Sequence, residues 1–499
     1  MAKDNFVKNS FLLISSNVTT GILGFIFSIY LSKVLGAEGM GLYNLVMPIY
    51  NLFICLMTAG IVASISKITA VYNQKGEHNN IVKTIRVVSI FNISWALLIG
   101  ILVFLCAPLL GKYGVNDVRT INAIKVICPA MFCIAISNIL KGYFYGTSKI
   151  TVPAIIDIFE KAMRILTVSL LIYLTNAQTL EGMVTLATVA LCIGEFQSLI
   201  FLYIYYRYSI NKMPISNEKT ESGFQLLFDV VIIALPLCLN GFLTNILGTL
   251  STLIVPRRLL FAGFNYTEAL ALIGKYTGMA LSVITIPLII VTTINTLLIP
   301  DLSQTLVLGK QYEASVRIKK VLKVAFLLGI ATTIICNIIP GSLGEMFYSR
   351  SDLGPYIRFA SLTSPIFFPA VTMFGILNGL NRQGIILRNS LIEAVIELIC
   401  LYIFTGIHSI NIFGYSITML IACTIGFILN MYEVNKHIQL NLNKTNIIIY
   451  LIIGFLIFLI INILSKYIFT HSLIINNFII IALVFTIFAY LGTFGETES

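Results

Sequence analysis

Apolar residues along this chain fall in long unbroken runs rather than in alternation. Seven stretches free of Asp, Glu, Lys and Arg (9–32, 39–66, 87–111, 230–256, 276–300, 324–344 and 445–465) each extend for 21 to 28 residues. A helix crossing ~30 Å of hydrocarbon needs roughly 20 such residues. A strand of a membrane barrel would instead alternate apolar and polar positions over about ten. Without that alternation, helices are the remaining way to satisfy the backbone inside lipid. The pattern predicts fourteen spans, near 9–33, 41–67, 86–110, 120–143, 151–175, 182–207, 228–254, 273–299, 320–342, 356–380, 385–407, 411–434, 446–467 and 472–492. The longest connection, about 209–226, separates six spans from eight and is too short to fold alone.

Composition sharpens the class. Of 499 residues, 58% are apolar and only 11% charged, with a mean hydropathy of +0.95. A soluble domain carries about 25% charge, so a soluble enzyme and a disordered chain are both excluded. The net charge of +11 has an ordinary cause. With the N-terminus inside, twenty of the 32 Lys and Arg fall in inner loops and ten in outer loops, as the positive-inside rule requires. Both termini are therefore expected in the cytoplasm, and no nucleic-acid partner is expected. Nine cysteines lie almost all in apolar runs and form no CxxC. His78, His408, His437 and His471 sit at span ends or in loops. No metal site and no cofactor are expected, and a Walker A sequence is absent. The opening ten residues lead into an apolar run with no A-x-A site, which reads as an uncleaved first helix.

An internal match spans the 209–226 connection. Gly142, Gly146, Lys149 and Glu160 recur as Gly375, Gly379, Arg382 and Glu393, all offset by 233 residues. GxxxG pairs alone are common where membrane helices pack. The added base and acid favour duplication, as in transporters built from repeated halves. The expected organisation is a six-helix lobe at 1–210, a cytoplasmic linker at 211–226, a second six-helix lobe at 227–437 and two further helices in 438–499. Six crossings return the chain to its starting side, so the copies should point the same way around a pseudo-twofold axis along the membrane normal. A substrate cleft is then expected between them.

Some charges fall where lipid would reject them. The fifth span holds Asp157, Glu160, Lys161 and Arg164 within eight residues. Each ionised group at mid-bilayer costs about 2.5–3.5 kcal/mol, so these groups must face protein or water. Glu160 and Arg164 are spaced to pair at i, i+4, and Glu195 of the sixth span is a cross-helix partner for Arg164. Glu393 and Glu397 answer in the second half, without a neighbouring base. Buried ion pairs that fix helix register and a wet cavity that meets substrate or protons both account for such groups. Lys33, ending the first span, reads as a snorkelling lysine or a cavity cation. Arg257 and Arg258 after Pro256 suit lipid headgroups or a phosphate at a cavity rim.

Several local motifs carry a resemblance. Leu35-Gly36-Ala37-Glu38-Gly39-Met40-Gly41-Leu42-Tyr43, Val255-Pro256-Arg257-Arg258-Leu259, Ala262-Gly263, Gly278-Met279-Ala280 and Pro300-Asp301-Leu302-Ser303 together resemble the stage V sporulation protein B family. That family belongs to the multidrug/oligosaccharidyl-lipid/polysaccharide flippase superfamily. Asp301 and Gly274-Lys275 depart from its pattern.

The resemblance implies an all-α membrane protein of about fourteen helices, two pseudo-symmetric six-helix lobes plus a terminal pair. It implies alternating-access movement of an undecaprenyl-diphosphate-linked saccharide, such as lipid II, to the outer leaflet in spore cortex or cell-wall synthesis. Lys33, Lys161 and Arg164, with Arg257 and Arg258 at the rim, would be its cationic contacts. The chain is then not an enzyme but a monomer in the cell membrane, partnered by its lipid-linked substrate, membrane lipids and cell-wall synthesis proteins. A cation- or proton-coupled multidrug antiporter of the same fold is the competing expectation, with Asp157, Glu160 and Glu195 as acceptors.

Overall fold

Helix is the only regular structure that hydrocarbon permits for these runs, and the computed structural model bears this out. It describes residues 2–175, 179–212, 220–440, 444–467 and 473–493, and no strand occurs among them. Residues 213–219 of the expected linker and His471 lie outside the described residues. The chain separates into two units, Met1–Leu253 and Ile254–Ser499.

The first unit contains α1 (Ala2–Thr58), α2 (Ile61–Lys75), α3 (His78–Leu109), α4 (Ile121–Gly146), α5 (Thr151–Thr175), α6 (Leu180–Asn211) and most of α7 (Gly223–Phe261). The second holds α8 (Tyr266–Ile273), α9 (Leu281–Val307), α10 (Gln311–Ile338), α11 (Pro340–Tyr348), α12 (Gly354–Ser361), α13 (Ser364–Gly379), α14 (Gln383–Phe404), α15 (Gly414–His437), α16 (Lys444–Tyr467) and α17 (Leu473–Thr493). Ten helical runs among the described residues are long and apolar enough to cross a membrane, and the bent pair 351–379 makes an eleventh. The 62-residue run Ile14–Lys75 covers the first two predicted spans. The charge-bearing α5 and α14 fall outside that set. Large apolar side chains such as Leu98, Leu105, Leu174, Phe455 and Ile463 are exposed, as a lipid-facing surface demands.

Three details differ from the apolar pattern. The gap predicted between the first two spans is only a kink at Gly36 (φ 67°) inside α1. The second predicted span is instead broken at Gly60 (φ 79°), where a Cβ would lie 2.5 Å from the Ala234 carbonyl oxygen. Glycine is needed there for its left-handed backbone and for the close approach of α7. The tenth predicted span is bent by 57° between α12 and α13, where Gly329 of α10 presses on the Ser364 carbonyl. The two units meet inside α7, at Leu253. The reason is packing: Gly241 abuts Cys55, and the Thr249 hydroxyl donates to Pro48 O at 3.2 Å. These contacts hold the first part of α7 to α1.

Each unit is built around one central helix. In the first, α4 packs against α2, α3 and α6, and α5 lies on α6; in the second, α13 packs against α9, α10 and α15, and α14 lies on α15. The correspondence holds residue by residue. Gly142 meets Val62 and Gly146 meets Thr69, while Gly375 meets Asn295 and Gly379 meets Leu302. Val62 and Asn295, like Thr69 and Leu302, stand at the same 233-residue offset as the glycines. The glycines let two backbones approach in both places. Ile65, Ile139 and Tyr143 fill the first core, and Leu298, Leu302 and Met373 part of the second.

Candidate functional site

The α5–α6 contact carries most of the intramembrane charge. Glu160 and Arg164 are one turn apart on the face of α5 turned to α6, and both are buried. Arg164 Nη2 pairs with Glu160 Oε1 within the helix and donates to Glu195 Oε1 of α6 at 3.1 Å. The room for this is made by Gly194, whose Cβ would stand 2.9 Å from Glu160 Oε1. Lys161 Nζ reaches Glu160 Oε2 at 3.0 Å from a side chain still 34% exposed. Tyr43 and Tyr50 are buried on α1, which packs against α5. Arg164 Nε and the Tyr50 hydroxyl are buried and have no hydrogen-bond partner among the described residues.

Asp157 pairs with α4 rather than α6: Lys141 Nζ lies 2.7 Å from its Oδ1. Lys141 is thus part of the charged set around α5. Asp157, Glu160 and Glu195 are balanced by Lys141, Lys161 and Arg164, and this cluster is formally neutral rather than cationic. Pairing each of them offsets the cost of an isolated charge in a membrane. A second anion could engage the cluster by drawing Arg164 or Lys161 from a carboxylate.

The remaining predicted cations lie elsewhere. Lys33 is exposed on α1, three residues before the Gly36 kink. Arg257 is exposed at the end of α7. Arg258 is fastened down, its Nε donating to Tyr402 O at 2.8 Å and its guanidinium lying over the Tyr402 and Phe261 rings at 4.1 and 4.5 Å. Gly406 leaves space for that guanidinium. Arg258 therefore clamps α7 to α14.

In the second unit Glu393 occupies the place of Glu160. The Cβ of Gly426 on α15 would lie 2.6 Å from Glu393 Oε2, as that of Gly194 does beside Glu160. Here no arginine follows one turn later; Glu397 does, and neither acid has an ion-pair partner among the described residues. The duplicated frame thus holds a paired site in one copy and two bare acids in the other. No cluster of three potential metal ligands occurs among the described residues.

Residues 6–306 match the family described as "Polysaccharide biosynthesis protein". The chain belongs to that family. The match covers α5 and α6 and hence Glu160, Arg164 and Glu195. Among curated relatives, stage V sporulation protein B of Bacillus subtilis (strain 168) is 25% identical over 445 residues, covering 89% of this chain and 86% of the relative. The lipid II flippase MurJ of the same organism is 24% identical over 416 residues, covering 79% and 76%. Among solved structures, a lipid II flippase MurJ in an inward closed conformation superposes with a TM-score of 0.70 at 15% identity, over 96% of this chain and 98% of the other. An inward-facing multidrug-resistance MATE transporter gives 0.66 at 13% identity, over 86% and 98%. The chain shares the two-lobed helical fold of these solved transporters.

Lys141, Tyr50, Gly194 and Gly426 are absent from the residues that the sequence singles out. The pairing of Gly194 with Gly426, offset by 232 residues beside Glu160 and Glu393, was a usable signal. Lys141 left none, because its distance from Asp157 is set by helix packing.

Proposed function

We propose that this protein moves a lipid-linked saccharide of the undecaprenyl-diphosphate class across the cell membrane by alternating access, for wall or spore-cortex synthesis. Arg164 carries the reading: it is a guanidinium buried in a membrane helix, within the stretch matched to a family named for polysaccharide biosynthesis. A lipid diphosphate has a headgroup that hydrocarbon rejects and a tail that water rejects, so its carrier must offer polar contacts at membrane depth. Lys161, with donors to spare, and Arg164, with its unpartnered Nε, supply charge-assisted bonds to a diphosphate. Glu160 and Glu195 act as resident counter-ions that hold the cations in place while the site is empty. Lys33 and Arg257 give the headgroup cationic contacts away from this cluster. Both termini lie in the cytoplasm, the lobes are the repeats at 1–210 and 227–437, and the chain works as a monomer beside wall-synthesis proteins.

The test is reconstitution into vesicles with fluorescent lipid II, scoring headgroup exposure on the far side. Lys161→Ala removes a cation without opening the buried Arg164 pair, and should slow transfer about tenfold or more, the worth of one charge-assisted hydrogen bond. Normal transfer by both Lys161→Ala and Arg164→Ala would remove the site from the mechanism. Transport of an organic cation in place of the lipid would favour the antiporter, with Asp157, Glu160 and Glu195 as its acceptors.

A further inference from the structure

A pocket of about 470 Å³ sits in the second unit among α10, α13, α15 and α16. Its volume is within the range of about 300–1,000 Å³ typical of ligand sites. Phe326, Pro365, Phe427 and Ile447 make its walls apolar, and Lys319 and Lys323 are its charged lining. Positions 319, 322, 323 and 326 follow the i, i+3, i+4, i+7 spacing of one helix face, so the two ammonium groups and the apolar wall belong to the same side of α10. No carboxylate lines the pocket among the described residues. Asp301 and Glu313, the acids flanking this end of α10, are taken up by Arg317 and Lys310. Lys323 donates to Gly492 O of α17 at 3.2 Å and lies 5.6 Å from the Tyr450 ring. Lys319 is half-buried, and no partner is recorded for it among the described residues.

The walls of the pocket are predominantly apolar, and on membrane helices the surrounding solvent is hydrocarbon. Two cations at the wall of such a pocket select an occupant that is apolar along one part and anionic at one end. We propose that the pocket holds one anionic phospholipid, with its phosphate on Lys319 and Lys323 and an acyl chain against Phe326, Pro365 and Phe427. The basic start of α10 is the end predicted to face the cytoplasm, where anionic lipids attract basic side chains. Because α10, α13 and α15 belong to the repeated body and α16 to the terminal pair, the bound lipid joins the two. The site is independent of the transported cargo and stands whether or not the chain moves saccharides.

Ordinary snorkelling lysines would attract headgroups without saturation or a defined place for the chain, and this separates the two cases experimentally. The chain has a single tryptophan, Trp95, so an Ile447→Trp variant reports on the pocket against the parent chain as reference. In mixed micelles with the full-length protein, dibrominated phosphatidylglycerol should quench the added signal saturably. Half-quenching should need about tenfold less of it than of dibrominated phosphatidylcholine. Replacing Lys319 and Lys323 by Gln should weaken the anionic lipid about fivefold per lysine and leave phosphatidylcholine unchanged. Equal quenching by the two lipids, or a preference that survives both Gln replacements, overturns the site. Should the doubly substituted chain fail to fold, the comparison of the two lipids on the lysine-bearing reporter decides alone.

Discussion

Arg164 shows how one side chain is held by needs that no single helix can meet. Its guanidinium is shared between Glu160 of its own helix and Glu195 of the next. Arg164→Ala leaves both carboxylates buried and opposed only by Lys161. Breaking a buried pair in this way costs about 3–5 kcal/mol, so the midpoint of thermal unfolding in detergent should fall clearly, with Arg164→Lys recovering part of the loss. Gly194→Ala tests the same site from the other side. The added methyl would meet Glu160 Oε1 at 2.9 Å, and overpacking of this kind costs about 1–3 kcal/mol. An unchanged unfolding midpoint for Gly194→Ala would mean that α5 and α6 are less tightly pressed than the structure places them. The i, i+4 pair was legible in sequence because helical spacing is local. The pairing of Asp157 with Lys141 was not, since an α4 partner and an α6 partner satisfy the same periodicity and only the packing of α4 on α5 chooses.

Among elements, the decisive positions are those where backbones touch. Apolar runs gave the lengths of α4, α15 and α16 within a few residues, because burying twenty apolar residues in lipid leaves little freedom. The same signal misplaced the breaks near Gly36, Gly60 and Ser364. Hydropathy is blind to a break that keeps its residues apolar, and the cause at Gly60 is a contact with α7 that lies far away in sequence. Gly60→Ala would force an L-residue to φ 79° and drive a methyl to within 2.5 Å of the Ala234 oxygen. The backbone strain alone costs on the order of 1–3 kcal/mol, and loss of folded protein on size-exclusion chromatography is the expected result. Full yield and an unshifted midpoint would show that the α1–α2 break tolerates a side chain.

For the molecule as a whole, the two repeats have diverged in charge while keeping their packing. The first unit balances three acids with three bases; the second leaves Glu393 and Glu397 without ion-pair partners among the described residues. Under the proposed function, the negative charge of the cargo itself couples transport to the membrane potential. Moving about two negative charges outward down 100 mV releases roughly 4.6 kcal/mol. Vesicles loaded for a potassium diffusion potential should therefore accumulate exposed headgroup with one polarity and lose it with the other. Identical distributions at both polarities would rule out potential as the driving force.

Membership of a membrane class, helix lengths, the duplicated Gly-Gly-base-acid signature and the pairing of Glu160 with Arg164 followed from sequence alone, because each depends on residues close in the chain or on a repeat within it. The neutral balance of the α5 cluster, the clamping of Arg258 onto α14 and the lysine-bearing pocket of the second unit were decided only in three dimensions. Those outcomes depend on which helix face meets which neighbour, and hydrophobic periodicity leaves that choice open wherever every face is apolar.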